Sequence, residues 1–407
     1  MPAALAAATL LATGARADEP ARPMFSFSGF GTLGLVHSSE KNADFVSSSL
    51  KPNGAGFTRS WSADVDSRVA AQVTANFTPQ LSGVLQVISE QNYDNSYRPH
   101  VEWANIRYQL TPDFSVRAGR AVLPTFLLSD TRKVAYTYPW VRPPSEVYEL
   151  VPLSSSDGVE ARYQAHFGEL VNTVQVNLGQ RSARLVGGGD EVTARDAWSI
   201  TNTAESGPLL LRITYQKARL NLSSVNALFG GFRQFGPQGI AIANQYDPNG
   251  KPFSFAGLGA SYDPGKWFVM SEWARSESSS VLGTRVGWYA SGGYRLGEFT
   301  PYVLYARVRA GKVSDPGLAV AGLPPALAGP ATALNGGLNA ALAQSAPVQS
   351  TVSIGARWDF AKSAALKLQF DHTHLGPGSS GALRNMQPGF QPGGQLNVFS
   401  ASVDVVF

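Results

Sequence analysis

The chain has 407 residues, 43% of them apolar and 15% charged, with a formal net charge of +4. That charge is too small and too evenly spread for a nucleic-acid surface, and the absence of Cys excludes a disulfide framework, a thiolate metal site and a thiol nucleophile. No run of about 20 apolar residues offers a membrane helix, yet the chain carries 41 Gly, 21 Phe, 14 Tyr and 8 Trp, a composition that one large closed barrel can absorb.

The first predicted element is a leader. Leu5 to Ala12 is a short apolar stretch, followed by the small-x-small signal Ala15-Arg16-Ala17 and the acidic pair Asp18-Glu19. This reads as a Sec signal peptide over residues 1–17, although it lacks a basic start. Its removal leaves a net charge of +3. Residues 18–24 form a short N-terminal segment, and residues 25–407 form a single transmembrane barrel domain.

Within that domain, alternation of apolar and polar residues predicts sixteen strands. They run over Phe25 to Val36, Trp61 to Phe77, Leu81 to Asn92, His100 to Leu110, Phe114 to Arg120, Asp157 to Phe167, Val171 to Gly179 and Arg195 to Ala204. The second half continues over Leu209 to Asn221, Ser254 to Asp263, Trp267 to Ser276, Thr284 to Arg295, Phe299 to Arg309, Gln349 to Phe360, Ala365 to Leu375 and Gln395 to Phe407. Tight turns such as Thr78-Pro79-Gln80, Thr111-Pro112-Asp113 and Gly297-Glu298 follow even-numbered strands only. Pro fixes φ there, and Gly or Asp tolerates strained backbone. Odd-numbered strands lead mostly into longer polar or Gly/Pro-rich stretches, including a loop over 310–348 whose prolines and glycines are expected to break any helix. Phe77, Tyr108, Phe114, Phe167, Tyr262, Trp267, Tyr294, Phe299, Tyr302, Phe360 and Phe407 cluster near the tight turns and predict an interfacial girdle. In the last strand, QLNVFSASVDVVF, Phe399, Ala401, Val403, Val405 and Phe407 share one face, with Ser400, Ser402 and Asp404 on the other. The fold class is therefore all-β, a transmembrane antiparallel β-barrel of sixteen strands.

The sixteen strands, the leader, the terminal Phe407 and the segment Arg117-Ala118-Gly119-Arg120 before a long insertion together resemble the general porins of Gram-negative bacteria. The resemblance implies a homotrimer of water-filled barrels in the outer membrane. It also implies a third loop folded inward as a constriction, and passive diffusion of small hydrophilic solutes and ions. An aromatic carboxy terminus resembles the ending read by the barrel assembly machinery. The alternatives are a substrate-specific channel, a receptor or adhesin barrel, and, further off, an outer-membrane hydrolase.

The insertion, Ala121 to Ser156, is too apolar and Pro-rich to wave in water. It is expected to pack inside the barrel through Leu123, Phe126, Leu127, Tyr136, Tyr138, Trp140 and Tyr148. Asp130, Arg132, Lys133, Arg142, Glu146 and Glu149 should then lie near the lumen. An extracellular lobe or a subunit latch is the competing reading. By parity the inward basic residues are Arg68, Arg107, Arg117, Arg162, Arg212, Arg285, Arg295, Arg307, Arg309, Arg357 and Lys367. The inward acids are Asp64, Asp66, Glu90, Glu160, Glu272, Asp359, Asp371 and Asp404. Arg68, Arg107, Arg117 and Arg162 are expected to form a basic wall facing the loop acids, which gives a weak anion preference. Each of them can also be an ordinary solvated side chain in a salt-bridge network.

Other patterns carry less. His372 and His374 have metal-ligand spacing but share parity with Leu366, Leu368 and Phe370, which points to an outer rim and no metal. Gly187-Gly188-Gly189 opens no helix and so cradles no phosphate. Lys217 and Arg219 could meet lipopolysaccharide phosphates or be plain rim charges. His37-Ser38 lacks an orienting partner for catalysis. No cofactor is implied.

Overall fold

The structure is a computed structural model that describes residues 23–186, 189–311 and 314–407. The leader expected over residues 1–17 lies outside them, as do Gly187 and Gly188. Alternation produces long strands throughout: β1 (Phe25–Ser38), β2 (Arg68–Asn76), β3 (Leu81–Glu90), β4 (His100–Thr111), β5 (Phe114–Val122), β6 (Ser155–Phe167), β7 (Leu170–Arg184) and β8 (Glu191–Ser206). There follow β9 (Leu209–Leu222), β10 (Lys251–Tyr262), β11 (Trp267–Ser278), β12 (Thr284–Tyr294), β13 (Phe299–Ala310), β14 (Gln349–Ala361), β15 (Ala364–Leu375) and β16 (Gln395–Val406). Each pairs antiparallel with its neighbours in the chain, and β1 closes the ring. It meets β16 from Phe30↔Val406 to Ser38↔Val398 and β2 from Phe25↔Ala75 to Thr32↔Arg68. Closure satisfies every ladder and leaves no edge in hydrocarbon.

The second strand is broken where an unbroken run from Trp61 was expected. Trp61–Ser62 pairs with β1, and β2 resumes at Arg68. The β7–β8 hairpin is longer than predicted, because register shifts at Gly179/Arg181 and Arg195/Trp198 disguise its period. Connections after even-numbered strands are short, down to two residues at 112–113, 168–169, 207–208 and 362–363. Those after odd-numbered strands include 39–67, 123–154, 223–250 and 311–348.

Two of the long connections fold into helices of eight residues or more that the sequence reading missed, and the 123–154 connection holds a single turn over Ser145–Tyr148. Asn226–Arg233 (α1) and Gly236–Tyr246 (α2) occupy the first. Pro325–Ser345 (α3) occupies the second and overturns the expectation of a helix-free loop. Pro330 sits inside α3, where it costs one backbone hydrogen bond. The Ala-rich remainder is held by burial of Ala331, Leu338 and Leu342 against Phe229 and Phe232, since packing of an apolar face outweighs local propensity. No helix among the described residues is long and apolar enough to cross a membrane.

The outer wall exposes Phe27, Leu33, Ile106, Val159, Ile200, Ile213, Val303, Ile354 and Phe370, an apolar belt suited to lipid. Exposed aromatics gather at the short-turn rim, with Tyr262 against Trp267 at 5.4 Å and Phe299 stacked on Trp358 at 5.6 Å. Tyr302 leaves the expected girdle. It points inward, buried, and its hydroxyl donates to Gln369 at 2.9 Å.

Candidate functional site

The 123–154 connection folds into the barrel and runs over the inner wall from β8 to β16. Thr201 donates to the Pro124 carbonyl at 2.9 Å, and Arg212 donates to the Phe126 carbonyl at 2.5 Å. Glu272 accepts from the Leu127 N–H at 2.8 Å and from the Tyr148 hydroxyl at 2.6 Å. Trp140 donates to Ser291 at 2.8 Å, and Lys367 donates to the carbonyls of Ala135 and Trp140 at 2.6 and 2.8 Å. Tyr136 reaches down to the Lys362 carbonyl at the short-turn rim. Phe126, Tyr138, Trp140, Val147 and Tyr148 form one buried cluster with wall residues Phe255, Tyr289, Tyr302 and Leu304. The wall is shaped for this seat. At Gly287 a Cβ would lie 2.1 Å from the Glu146 carbonyl oxygen, so only Gly lets the loop backbone approach.

Covering explains a reversal of parity. Where the loop presses on β13, the inner face is Tyr302, Leu304, Ala306 and Val308, all buried. Arg307 and Arg309, expected in the lumen, alternate with these and share the outer face with exposed Val303. A strand that is apolar on both faces leaves its period uninformative about direction.

The remaining wall belongs to β4, β5 and β6. Register places Arg107 directly opposite Arg117, Arg117 opposite Glu160, and Ser115 opposite Arg162. Arg117 donates to Glu160 at 2.6 Å. Arg107 has only a 3.3 Å bond to Ser115, and the Nε atoms of Arg117 and Arg162 are buried without a partner. Three guanidinium groups thus share one carboxylate. Among the described residues the inserted loop makes no side-chain hydrogen bond to Arg107, Arg117 or Arg162, and on this side it bonds to β4 through Ser154 and Glu102. Above it, Arg120 forks onto Asp157 at 2.6 and 2.9 Å. Gly119, at φ +119°, makes the bend, where a Cβ would sit 2.4 Å from the Ala104 carbonyl oxygen. Arg181 also approaches Asp157, at 3.8 Å. It escaped the sequence reading because the predicted strand stopped at Gly179.

Arg68, expected on the same wall, is set apart: it faces Glu90 at 3.9 Å. Glu90 is also the partner of Lys133 from the loop, and Val134 packs beside Phe30, Ala70 and Ile88, so the loop bridges to β1, β2 and β3. Asp130 is exposed and lies 3.8 Å from Arg212. Arg132 turns inward onto the loop's own Tyr148 and Val151 carbonyls.

Arg142 and Glu146 do not line a lumen as expected. Arg142 is buried, with Asp66 at 2.6 and 3.0 Å, Ser400 at 2.7 Å and Asp371 at 3.4 Å. Glu146 is buried against Gln349 and Thr351 of β14. Both are polar groups that fasten the loop, and burial is tolerated because each is fully engaged. Glu149 is half-buried and accepts from the Ser49 N–H at 2.6 Å.

Lys51, in the 39–67 connection, also packs into this region. Burial pushes its ammonium down to about 8, partly countered by Glu90. Nζ donates to the Val65 carbonyl at 2.9 Å.

The other candidates fall outside the lumen. His372 and His374 are exposed on the outer face of β15, His372 against Asn397, and no group of potential metal ligands occurs among the described residues. His37 stacks on Trp61 while Ser38 is buried, since neighbours on a strand face opposite ways. Lys217 and Arg219 are exposed on the outer face of β9.

The fold is shared with solved outer-membrane proteins of low identity. OmpF of Salmonella typhi, in complex with daunomycin, aligns with TM-score 0.56 at 11% identity, over 94% of this chain and 97% of that one. An anion-selective porin from Comamonas acidovorans gives 0.54 at 11%, over 94% and 99%. The outer membrane channel DcaP of Acinetobacter baumannii gives 0.53 at 11%, over 94% and 97%. Comparison with curated protein sequences finds no match. The profile of the Gram-negative porins covers residues 3–376, nearly the whole sequence, and with the closed sixteen-stranded barrel it places the chain in the Gram-negative porin family.

Proposed function

We propose that this outer-membrane porin passes small hydrophilic solutes and ions by passive diffusion, with a weak preference for anions. The passage runs between the wall of Arg107, Arg117 and Arg162 and the edge of the inserted loop that carries Asp130 and Lys133. The observation that carries the reading is the in-register Arg107 and Arg117 pair, with three guanidinium groups to one Glu160. Low-dielectric walls focus such a field at a narrow point, while charges at the mouths are screened within about 10 Å at 0.1 M salt. The working form is a homotrimer, its leader over residues 1–17 is removed on export, and the barrel assembly machinery and lipopolysaccharide are its partners in the membrane. Proteoliposome swelling with graded sugars tests the pore: rates should fall steadily with sugar size. Swelling no faster than in empty liposomes would favour a receptor or adhesin instead. A reversal potential favouring potassium over chloride would overturn the anion preference alone.

A further inference from the structure

On the long-loop side of the insertion, several chain segments meet around a small cavity, among them the 311–348 connection and the first residue of β14. The 39–67 connection brings Ser48 and Ser49, the inserted loop brings Glu149, the end of β12 brings Arg285, and the 376–394 connection brings Arg384. Neither arginine was read from the sequence as a ligand-binding group. Among the described residues their side chains make one hydrogen bond between them, from Arg285 Nη2 to the Leu150 carbonyl at 3.3 Å. Arg285 Nε and Arg384 Nη1 are sealed from solvent with no partner at all. Orphaned donors of this kind are costly and call for an explanation.

The neighbouring acids supply only part of one: Glu149 attracts both arginines across the cavity but hydrogen-bonds to neither. Glu146 spends its carboxylate on Gln349 and Thr351, and Glu149 spends its own on the Ser49 N–H, with Arg132 at 3.5 Å on its other oxygen. Each guanidinium group therefore keeps N–H donors that no lining side chain engages. Guanidinium forks match oxyanions, because two parallel N–H groups meet two oxygens of one carboxylate or phosphate.

We propose that this cavity binds the oxyanion group, carboxylate or phosphate, of a small solute before the solute reaches the Arg107, Arg117 and Arg162 wall. The proposal rests on the reading of the barrel as a conducting pore, and it adds a saturable site with its own residues.

The test uses the full protein in planar bilayers in KCl, with inorganic phosphate added to the long-loop side. Phosphate should reduce the current in a saturable way. Arg285→Gln and Arg384→Gln should each raise the half-blocking concentration about tenfold or more, and Arg384→Lys should keep part of the block. Acetate should compete with phosphate. Broadening of the phosphate resonance by purified protein, lost in both Gln variants, reads the same site without conduction. Block and broadening that survive both Gln variants would overturn the proposal. So would block abolished by Arg107→Gln yet intact in both of them, because the phosphate would then sit at the constriction. A protein that conducts nothing in KCl alone defeats the pore reading instead, and the resonance measurement still decides the site.

Discussion

Arg107 and Arg117 face each other across the β4–β5 ladder, two cations in register on the inner wall. Like charges directly opposite cost a sheet roughly 0.2–1 kcal/mol, the size of a favourable cross-strand pair with its sign reversed. Glu160, opposite Arg117 on β6, relieves only part of this. A wall built for stability alone would place an acid at one of the two positions, which is consistent with the field proposed above.

Replacing Arg107 with Gln should shift the reversal potential in a KCl gradient toward cations, with a larger shift at low salt, where screening is weaker. The barrel should become no less stable, because a repulsion is removed. Arg117→Gln should shift selectivity as well, but at some cost in stability, because it removes the one guanidinium bonded directly to Glu160. A heat-modifiability series on both variants separates the two effects, and equal losses of stability would count against the assignment.

Arg142→Met should be among the most damaging substitutions in the inserted loop. It leaves Asp66 and Asp371 buried without their cation, a loss of about 3–5 kcal/mol for comparable buried pairs. The unfolding temperature should fall, and adding Asp66→Asn should restore part of it. A double-mutant cycle with no coupling between the two sites would mean that the pair contributes nothing.

Removing Phe407 should impair assembly. Its N–H donates to the Gly29 carbonyl at 3.0 Å and its carbonyl accepts from the Gly29 N–H at 2.8 Å, completing the seam between β16 and β1. Protease-resistant barrel in the outer-membrane fraction should drop while synthesis continues. Undiminished barrel would show that the seam closes without it.

Lys51 makes stability depend on alkaline pH. Its folded value of about 8 lies below the ordinary 10.5, so between those two values the unfolded chain binds more protons and stability rises with pH. Below about pH 8 the full cost of burying the charge is present, a few kcal/mol by the usual conversion. Lys51→Met should therefore unfold at a higher temperature at pH 7 and lose much of the rise toward pH 10. Parallel pH profiles for the two proteins would refute this.

Sixteen strands were legible because a period of two, punctuated by Pro, Gly and Asp, survives in nearly every wall segment. Sidedness was legible for the same reason, since short turns after β2, β4 and β6 contrast with long connections after β1 and β5. What failed depends on contacts distant in sequence. Arg307 and Arg309 were assigned inward because parity assumes a wet lumen, and β13 has a dry one. Arg142 and Glu146 look like lumen charges until Asp66, Asp371 and Gln349 are brought beside them. The helix over Pro325–Ser345 was hidden by its prolines and glycines, and only the apolar partners at Phe229 and Phe232 reveal why it holds.

A loop seated on nine strands also means that the conduit and the cylinder are separate constructions. Phe255, Tyr289, Tyr302 and Leu304 belong to the cylinder, yet they meet the loop and not the stream. Stripping out residues 123–154 would therefore do more than enlarge the bore. It would expose the greasy flank of β10 to β13, and surfaces of that kind can shed water and stop conduction by dewetting. A wider tunnel with such a lining could carry fewer ions than the narrow one, so bore and throughput need not rise together in this barrel.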